Sequence, residues 1–152
     1  MTRSGVRLKL VEERLARARE CVEELRSYPA ANLEEFLADN RTFPASESRL
    51  RWAIEAIFDT ARHLLAKAHG QGALEYRQVA LLAQEKGLIQ DPALGARFVQ
   101  IAGFRNRLIH HYEDVTAAEL FEIVRKDLGD LDALIEALEK AGRRLTPAEG
   151  ET

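Results

Sequence analysis

Three observations predict an all-α fold, an up-and-down helical bundle of four long helices plus one or two short ones. Apolar residues recur at steps of three and four through most of the 152-residue chain, the spacing that gives a helix one buried face. The 4 prolines and 9 glycines mostly punctuate these periodic stretches. Capping signatures open several of them, and no segment sustains the period-two alternation of a half-buried strand.

Residues 1–5 are expected to be a flexible end, 6–141 a single domain, and 142–152, rich in proline, glycine and charge, a disordered tail. From Val6 to Tyr28, Leu8, Val11, Leu15, Ala18, Val22 and Leu25 mark one face of a long helix that Pro29 ends. Asn32 with Glu35 has the form of a capping box and opens a short helix. Phe43-Pro44 is expected to break the chain. A second long helix then runs from Ser46 to Ala68, with Leu50, Ile54, Ile57, Phe58, Ala61, Leu64 and Leu65 inward and Gly70 and Gly72 closing it. Trp52 is expected in the core or at a dimer seam. Asp59 and His63 lie four apart, within hydrogen-bond reach, although a surface pair is the plainer reading.

Leu74 to Lys86 forms a shorter helix that stops at Gly87. Asp91-Pro92 is a good helix start, with aspartate as N-cap and proline in the first turn. That helix carries Leu94, Phe98, Ile101, Phe104 and Leu108. Thr116 and Glu119 form the next capping box, and the last helix, Ala117 to Lys140, is interrupted by Gly129, a possible kink.

Composition narrows the function classes. With 46% hydrophobic and 31% charged residues the chain is long enough to bury a core as one domain. A net charge of −3 argues against coating nucleic acid by bulk electrostatics, so any RNA contact is local. One cysteine, Cys21, excludes an intramolecular disulfide and a cysteine-based zinc site, and no recognisable ligand spacing suggests another metal site. Charged residues come early at the N-terminus and no apolar run approaches about 20 residues, so neither a leader nor a membrane span is expected and the cytoplasm is the default.

Against that acidic background, Gly103 to Tyr112 stands apart: GFRNRLIHHY holds two guanidiniums, two imidazoles, an amide and a phenol without a carboxylate. Histidine can take and give a proton near neutral pH, and arginine presents a planar fork suited to phosphate oxygens. Together they are a minimal set for cleaving RNA without a metal or other cofactor. At about 100° per residue, Arg105 and Tyr112 share a stripe, Asn106 and His110 share its neighbour, and Arg105 lies about 140° from His110. Either the helix ends or bends near His110, or a second copy of the helix completes the pocket. Arg107 and His111 fall on the opposite side, as accessory RNA contacts or solvent-facing groups.

The run Arg105-x4-His110-x-Tyr112, behind Gly103-Phe104 and with Asn106 after the arginine, resembles the signature of the HEPN superfamily and, within it, the HepT-like toxins. The stretch Glu47 to Lys67 also looks like that family's second long helix, and the resemblance spans roughly residues 6 to 140. It implies a HEPN-like homodimer acting as the toxin of a type II toxin–antitoxin system, a metal-independent endoribonuclease cleaving tRNA or mRNA at the dimer interface. His110 would be the general base or acid, Arg105 the charge stabiliser, and Asn106 an orienting group. The partner would be a minimal nucleotidyltransferase (MNT) antitoxin that transfers AMP to Tyr112. Tyr112 is equally open to stacking on a base or plugging a seam. A rival reading is a non-catalytic helical module that binds a nucleotide or presents itself to the nucleotidyltransferase.

Overall fold

A computed structural model describes residues 5–72 and 74–147. Residues 1–4, most of the expected flexible end, and 148–152, within the expected tail, lie outside the described residues. The order is α1 (Leu8–Ser27), α2 (Leu33–Ala38), α3 (Thr42–His69), α4 (Tyr76–Glu85), α5 (Pro92–His110), a 3-10 turn (Tyr112–Asp114), α6 (Ala117–Glu122), a π-helical turn (Ile123–Asp127) and α7 (Leu128–Leu145). No strand occurs among the described residues, as the periodicity predicts.

The long helix α3 is the post on which the bundle is built. It packs against α1, α2, α4, α5, α6 and α7. Arg7 N–H donates to His63 Nε2 at 3.1 Å near the start of α1, while Arg49 reaches Glu24 at 2.8 Å near its end, so α1 and α3 run antiparallel. Arg19 pairs with Glu139 at 2.7 Å and Arg26 with Asp132, which sets α7 antiparallel to α1 as well. The stripes named from spacing close the core: Leu15, Val22 and Leu25 of α1, Ile57, Phe58 and Leu64 of α3, and Leu134 and Leu138 of α7 are fully buried. At roughly 1.5–3 kcal/mol for each large apolar side chain buried, this face is the main source of stability.

Capping follows local chemistry. Asn32 accepts from Glu35 N–H at 2.8 Å, Asp91 from Ala93 N–H at 3.0 Å and Thr116 from Glu119 N–H at 3.1 Å. Gly87 takes φ +78° and closes α4 with Leu88 N–H donating to Ala83 carbonyl at 2.8 Å, the left-handed exit that glycine adopts without strain.

Four details differ from the sequence reading. Phe43-Pro44 does not break the chain, because Pro44 falls in the first turn of α3, where no N–H is needed. Gly142 does not begin a tail: α7 continues to Leu145, and a Cβ at Gly142 would stand 3.1 Å from Val11, so close packing on α1 orders this turn. The irregularity of the last helix is the π turn at Ile123–Asp127, with Gly129 inside regular α7. Trp52 is not in the core: it is 41% exposed, with the guanidiniums of Arg17 and Arg49 at 4.5 and 5.2 Å from its ring. Two positions past Leu50 it points away from the buried stripe.

His63 pairs with the Arg7 backbone and not with Asp59, which binds Arg62 at 3.5 Å. Burial first, then the charges of Arg14, Lys67 and Arg7, lower the His63 pKa from 6.5, favouring the neutral ring that accepts the Arg7 N–H. A lowered folded pKa contributes stability above the unfolded value that is lost as pH falls. Unfolding free energy should therefore decline below pH 6.5, and less steeply in His63→Gln, as read by urea titrations across pH. Phe58, fully buried, stacks on Tyr76 at 4.8 Å and Phe98 at 4.5 Å, joining α3, α4 and α5. Phe58→Ala should cost about 3–5 kcal/mol, seen as a lower urea midpoint at unchanged slope.

Candidate active site

The rotation of α5 is set by Phe98 and Ala102, both fully buried. Arg105 comes three residues after Ala102 and so lies on the same stripe, which aims its side chain inward and leaves it 16% exposed. A guanidinium placed there needs partners, since an unpaired charge at a core margin is costly. Glu55 of α3 supplies one, accepting from Arg105 Nε at 2.8 Å. Tyr76 of α4 supplies another, its ring 3.8 Å from the guanidinium carbon and its hydroxyl donating to the second oxygen of Glu55. Burial first, then the Glu55 bond, pushes the Tyr76 phenol up to about 12, so it remains a donor near neutral pH.

Asn106 and His110, on the neighbouring stripe, are exposed. The helix ends at His110: His111 leaves helical geometry at φ −138°, ψ 45° while its N–H still donates to Arg107 carbonyl at 2.8 Å. Arg105, Asn106, His110 and His111 thereby line one cavity of about 510 Å³, together with Arg62, Leu74, Glu75 and Tyr76. Of the two geometric solutions open from the sequence, the helix end is present within one chain. His111, expected on the far side, is on the cavity wall because the chain has left the helix.

Arg107 does not reach the cavity. Its two terminal nitrogens grip Glu119 at 2.7 and 2.8 Å, and one also donates to Asp114 carbonyl at 3.3 Å. That fork ties the end of α5 to the start of α6 and frames the 3-10 turn between them. Tyr112 opens this turn next to the cavity-lining His111 and is 63% exposed.

Glu55, Tyr76 and Arg62 are the site residues that spacing did not single out. Glu55 and Arg62 flank Phe58 on one side of α3 at helical steps, a stripe that reads as a charged flank until α4 and α5 are laid on it. Arg62 donates to Leu74 carbonyl at 3.0 Å and stands 5.0 Å from the Tyr76 ring. Chemically, the cavity combines an oriented guanidinium, two imidazoles and an amide, groups able to hold a phosphate and move protons beside it. Among the described residues no group of three or more His, Cys, Asp or Glu is placed to hold a metal ion, and no helix is long and apolar enough to cross a membrane.

The chain is similar to known proteins over most of its length. It is 25% identical over 113 residues to the tRNA nuclease HepT of Aphanizomenon flos-aquae (strain 2012/KM1/D3), covering 74% of this chain and 76% of that protein. Its fold is similar to that of the tri-AMPylated Shewanella oneidensis HEPN toxin in complex with MNT antitoxin, with TM-score 0.75 and 19% identity, covering 86% of this chain and 97% of that one. A crystal structure of a toxin–antitoxin with AMP-PNP gives TM-score 0.73 at 19% identity, over 85% of this chain and 97% of the other. The all-α HEPN fold expected from the motif is the one observed. The family model described as Ribonuclease HepT-like matches residues 18–138, spanning the central helices and the whole Arg105–Tyr112 motif, and the chain therefore belongs to the HepT-like family.

Proposed function

We propose that this chain is the toxin of a toxin–antitoxin pair, an endoribonuclease that cuts RNA without a metal and is silenced by a nucleotidyltransferase. The observation that carries the reading is the gathering of Arg105, Asn106 and His110 on one open cavity of about 510 Å³. His110 handles the proton of the ribose 2′-hydroxyl or of the departing 5′-oxygen. The 2′-oxygen attacks phosphorus, the bond to the 5′-oxygen breaks, and a 2′,3′-cyclic phosphate remains. Arg105 stabilises charge on the non-bridging oxygens, and Asn106 orients the histidine or the phosphate. The name of the Aphanizomenon relative favours tRNA over mRNA as substrate.

A homodimer fits the outer surface of α5. Gly103, Asn106 and His110 recur at steps of three and four and are exposed, and nothing within 4 Å would meet a Cβ at Gly103. A second helix can approach closely there, bringing a second set of site residues. Tyr112, exposed beside His111, is the AMP acceptor in this reading, and the tri-AMPylated state of the Shewanella neighbour supports AMP transfer as the means of silencing. An appended nucleotide adds negative charge and bulk where an RNA phosphate would sit. The cytoplasm, where tRNA and ATP are both present, is the compartment this reading requires.

Purified protein, dimeric by light scattering, should cleave labelled tRNA in EDTA and leave a cyclic phosphate end. His110→Ala should lose on the order of 10²–10⁴-fold in rate while its melting curve stays in place. Absence of cleavage by the folded wild-type dimer would favour the binding-module reading, for which the acidic net charge of −3 speaks. With the cognate nucleotidyltransferase and ATP, wild type should gain AMP by intact mass, whereas Tyr112→Phe should gain none and stay active. Modification of Tyr112→Phe would assign the acceptor to another residue.

A further inference from the structure

Arg105 is held by Glu55 through Nε alone, at the inner edge of its guanidinium. A carboxylate that paired with its two terminal nitrogens would fill the edge that grips oxyanions. Glu55 instead takes the inner edge, accepting from Nε at 2.8 Å. Nη1 makes only a long contact of 3.4 Å to Asn106 Oδ1, and Nη2 has no partner among the described residues. The other oxygen of Glu55 is held by the Tyr76 hydroxyl, and the Tyr76 ring lies 3.8 Å from the guanidinium carbon. Tyr76 cannot swing away easily, because Phe58 packs on it at 4.8 Å with Phe98 behind at 4.5 Å. Glu55 of α3 and Tyr76 of α4 thus hold one guanidinium by its inner edge and one face, and Arg105 lines the cavity shared with His110.

We propose that Glu55 is a positioning residue of this site, which together with Tyr76 braces Arg105 so that its two terminal nitrogens are presented to an RNA phosphate. The inference rests on the ribonuclease reading above and deepens it. An arginine has many rotamers, and one that must be sought after substrate arrives stabilises the transition state poorly. Fixing Nε and the ring face beforehand leaves a single placement of the fork. The Glu55 charge also lowers the positive potential of the cavity, so the brace favours the chemical step at some expense of ground-state RNA affinity. Removing the Glu55 charge should therefore lower kcat without weakening RNA binding.

The test is steady-state and single-turnover cleavage of a tRNA by wild type, Glu55→Gln and Tyr76→Phe, each titrated for active sites. For Glu55→Gln, kcat should fall about 10- to 100-fold while KM stays within about threefold of wild type or decreases. Tyr76→Phe, which keeps the ring and loses the hydroxyl, should fall less. In an Arg105→Lys background, which has no Nε to brace, Glu55→Gln should change kcat by less than about twofold. A general loss of structural integrity would instead lower kcat equally in both backgrounds. Wild-type kcat in Glu55→Gln, or a faster enzyme, would overturn the proposal, the latter showing that Glu55 restrains Arg105 from phosphate.

A readout independent of cleavage separates this proposal from the ribonuclease reading. In 1H–15N spectra, the Nε–H of Arg105 should be slow to exchange with water in wild type and fast in Glu55→Ala, and 10 mM-scale inorganic phosphate should shift the wild-type signal more than the variant's. Protection unchanged in Glu55→Ala overturns the brace even if RNA is cut. Protection lost, with the phosphate response lost, supports it even if neither protein cuts RNA.

Discussion

The burial of α3 is the constraint on which the rest depends. At 28 residues it is about 42 Å long, enough to touch every other layer of the bundle. Its apolar stripe, Leu50, Ile54, Ile57, Ala61 and Leu64, is taken up by the helices around it, and Phe58 reaches the side where α4 and α5 meet. With Tyr76 and Phe98 stacked on Phe58, the rotation of α5 about its axis is settled by aromatic packing in the core. The site inherits that rotation, since Phe98, Ala102 and Arg105 are successive positions on one stripe.

From this follows the electrostatic character of the site. The motif is a run of cations and imidazoles, yet the folded site is not a bare basic patch. The core stripe carries Arg105 inward, and a guanidinium at that depth is tolerated because Glu55 and Tyr76 meet it. Arg107, two residues on, is gripped by Glu119. Both arginines of the motif are therefore tied to carboxylates, one at the cavity wall and the other outside it. The two histidines are left to face the cavity.

Helix termination does the remaining placement. Had α5 continued past His110, His111 would have turned away from Arg105 and Tyr112 back toward its stripe. The exit at His111, the 3-10 turn, buried Val115 and the Thr116 cap of α6 together hold a short loop. That loop puts one imidazole on the cavity and the next phenol in solvent. Under the proposed function, a site that receives a polymer and a tyrosine that reaches a second protein both need this kind of exposed edge on a rigid support.

Helix order and type were legible in the sequence, and their number too once α6, the π turn and α7 are taken as the one last helix, because the 3.6-residue period, Asn32, Asp91-Pro92, Gly87 and Thr116 act within a few residues of themselves. The motif residues were legible for the same reason, as was the uncertainty over whether Arg105 and His110 could meet. What only the tertiary structure decided involves distant partners. Glu55 and Arg105 lie 50 residues apart, and nothing local marks a carboxylate on α3 as the mate of a guanidinium on α5. Trp52, expected in the core or at a dimer seam from its hydrophobicity, is turned out of the core by the helix phase that its neighbours impose. Gly142, which reads as the start of a tail, is kept helical by contact with Val11 across the bundle. A sequence fixes which face of each helix is apolar through local periodicity, whereas the choice of which charged flank meets which is made only when those faces pack together.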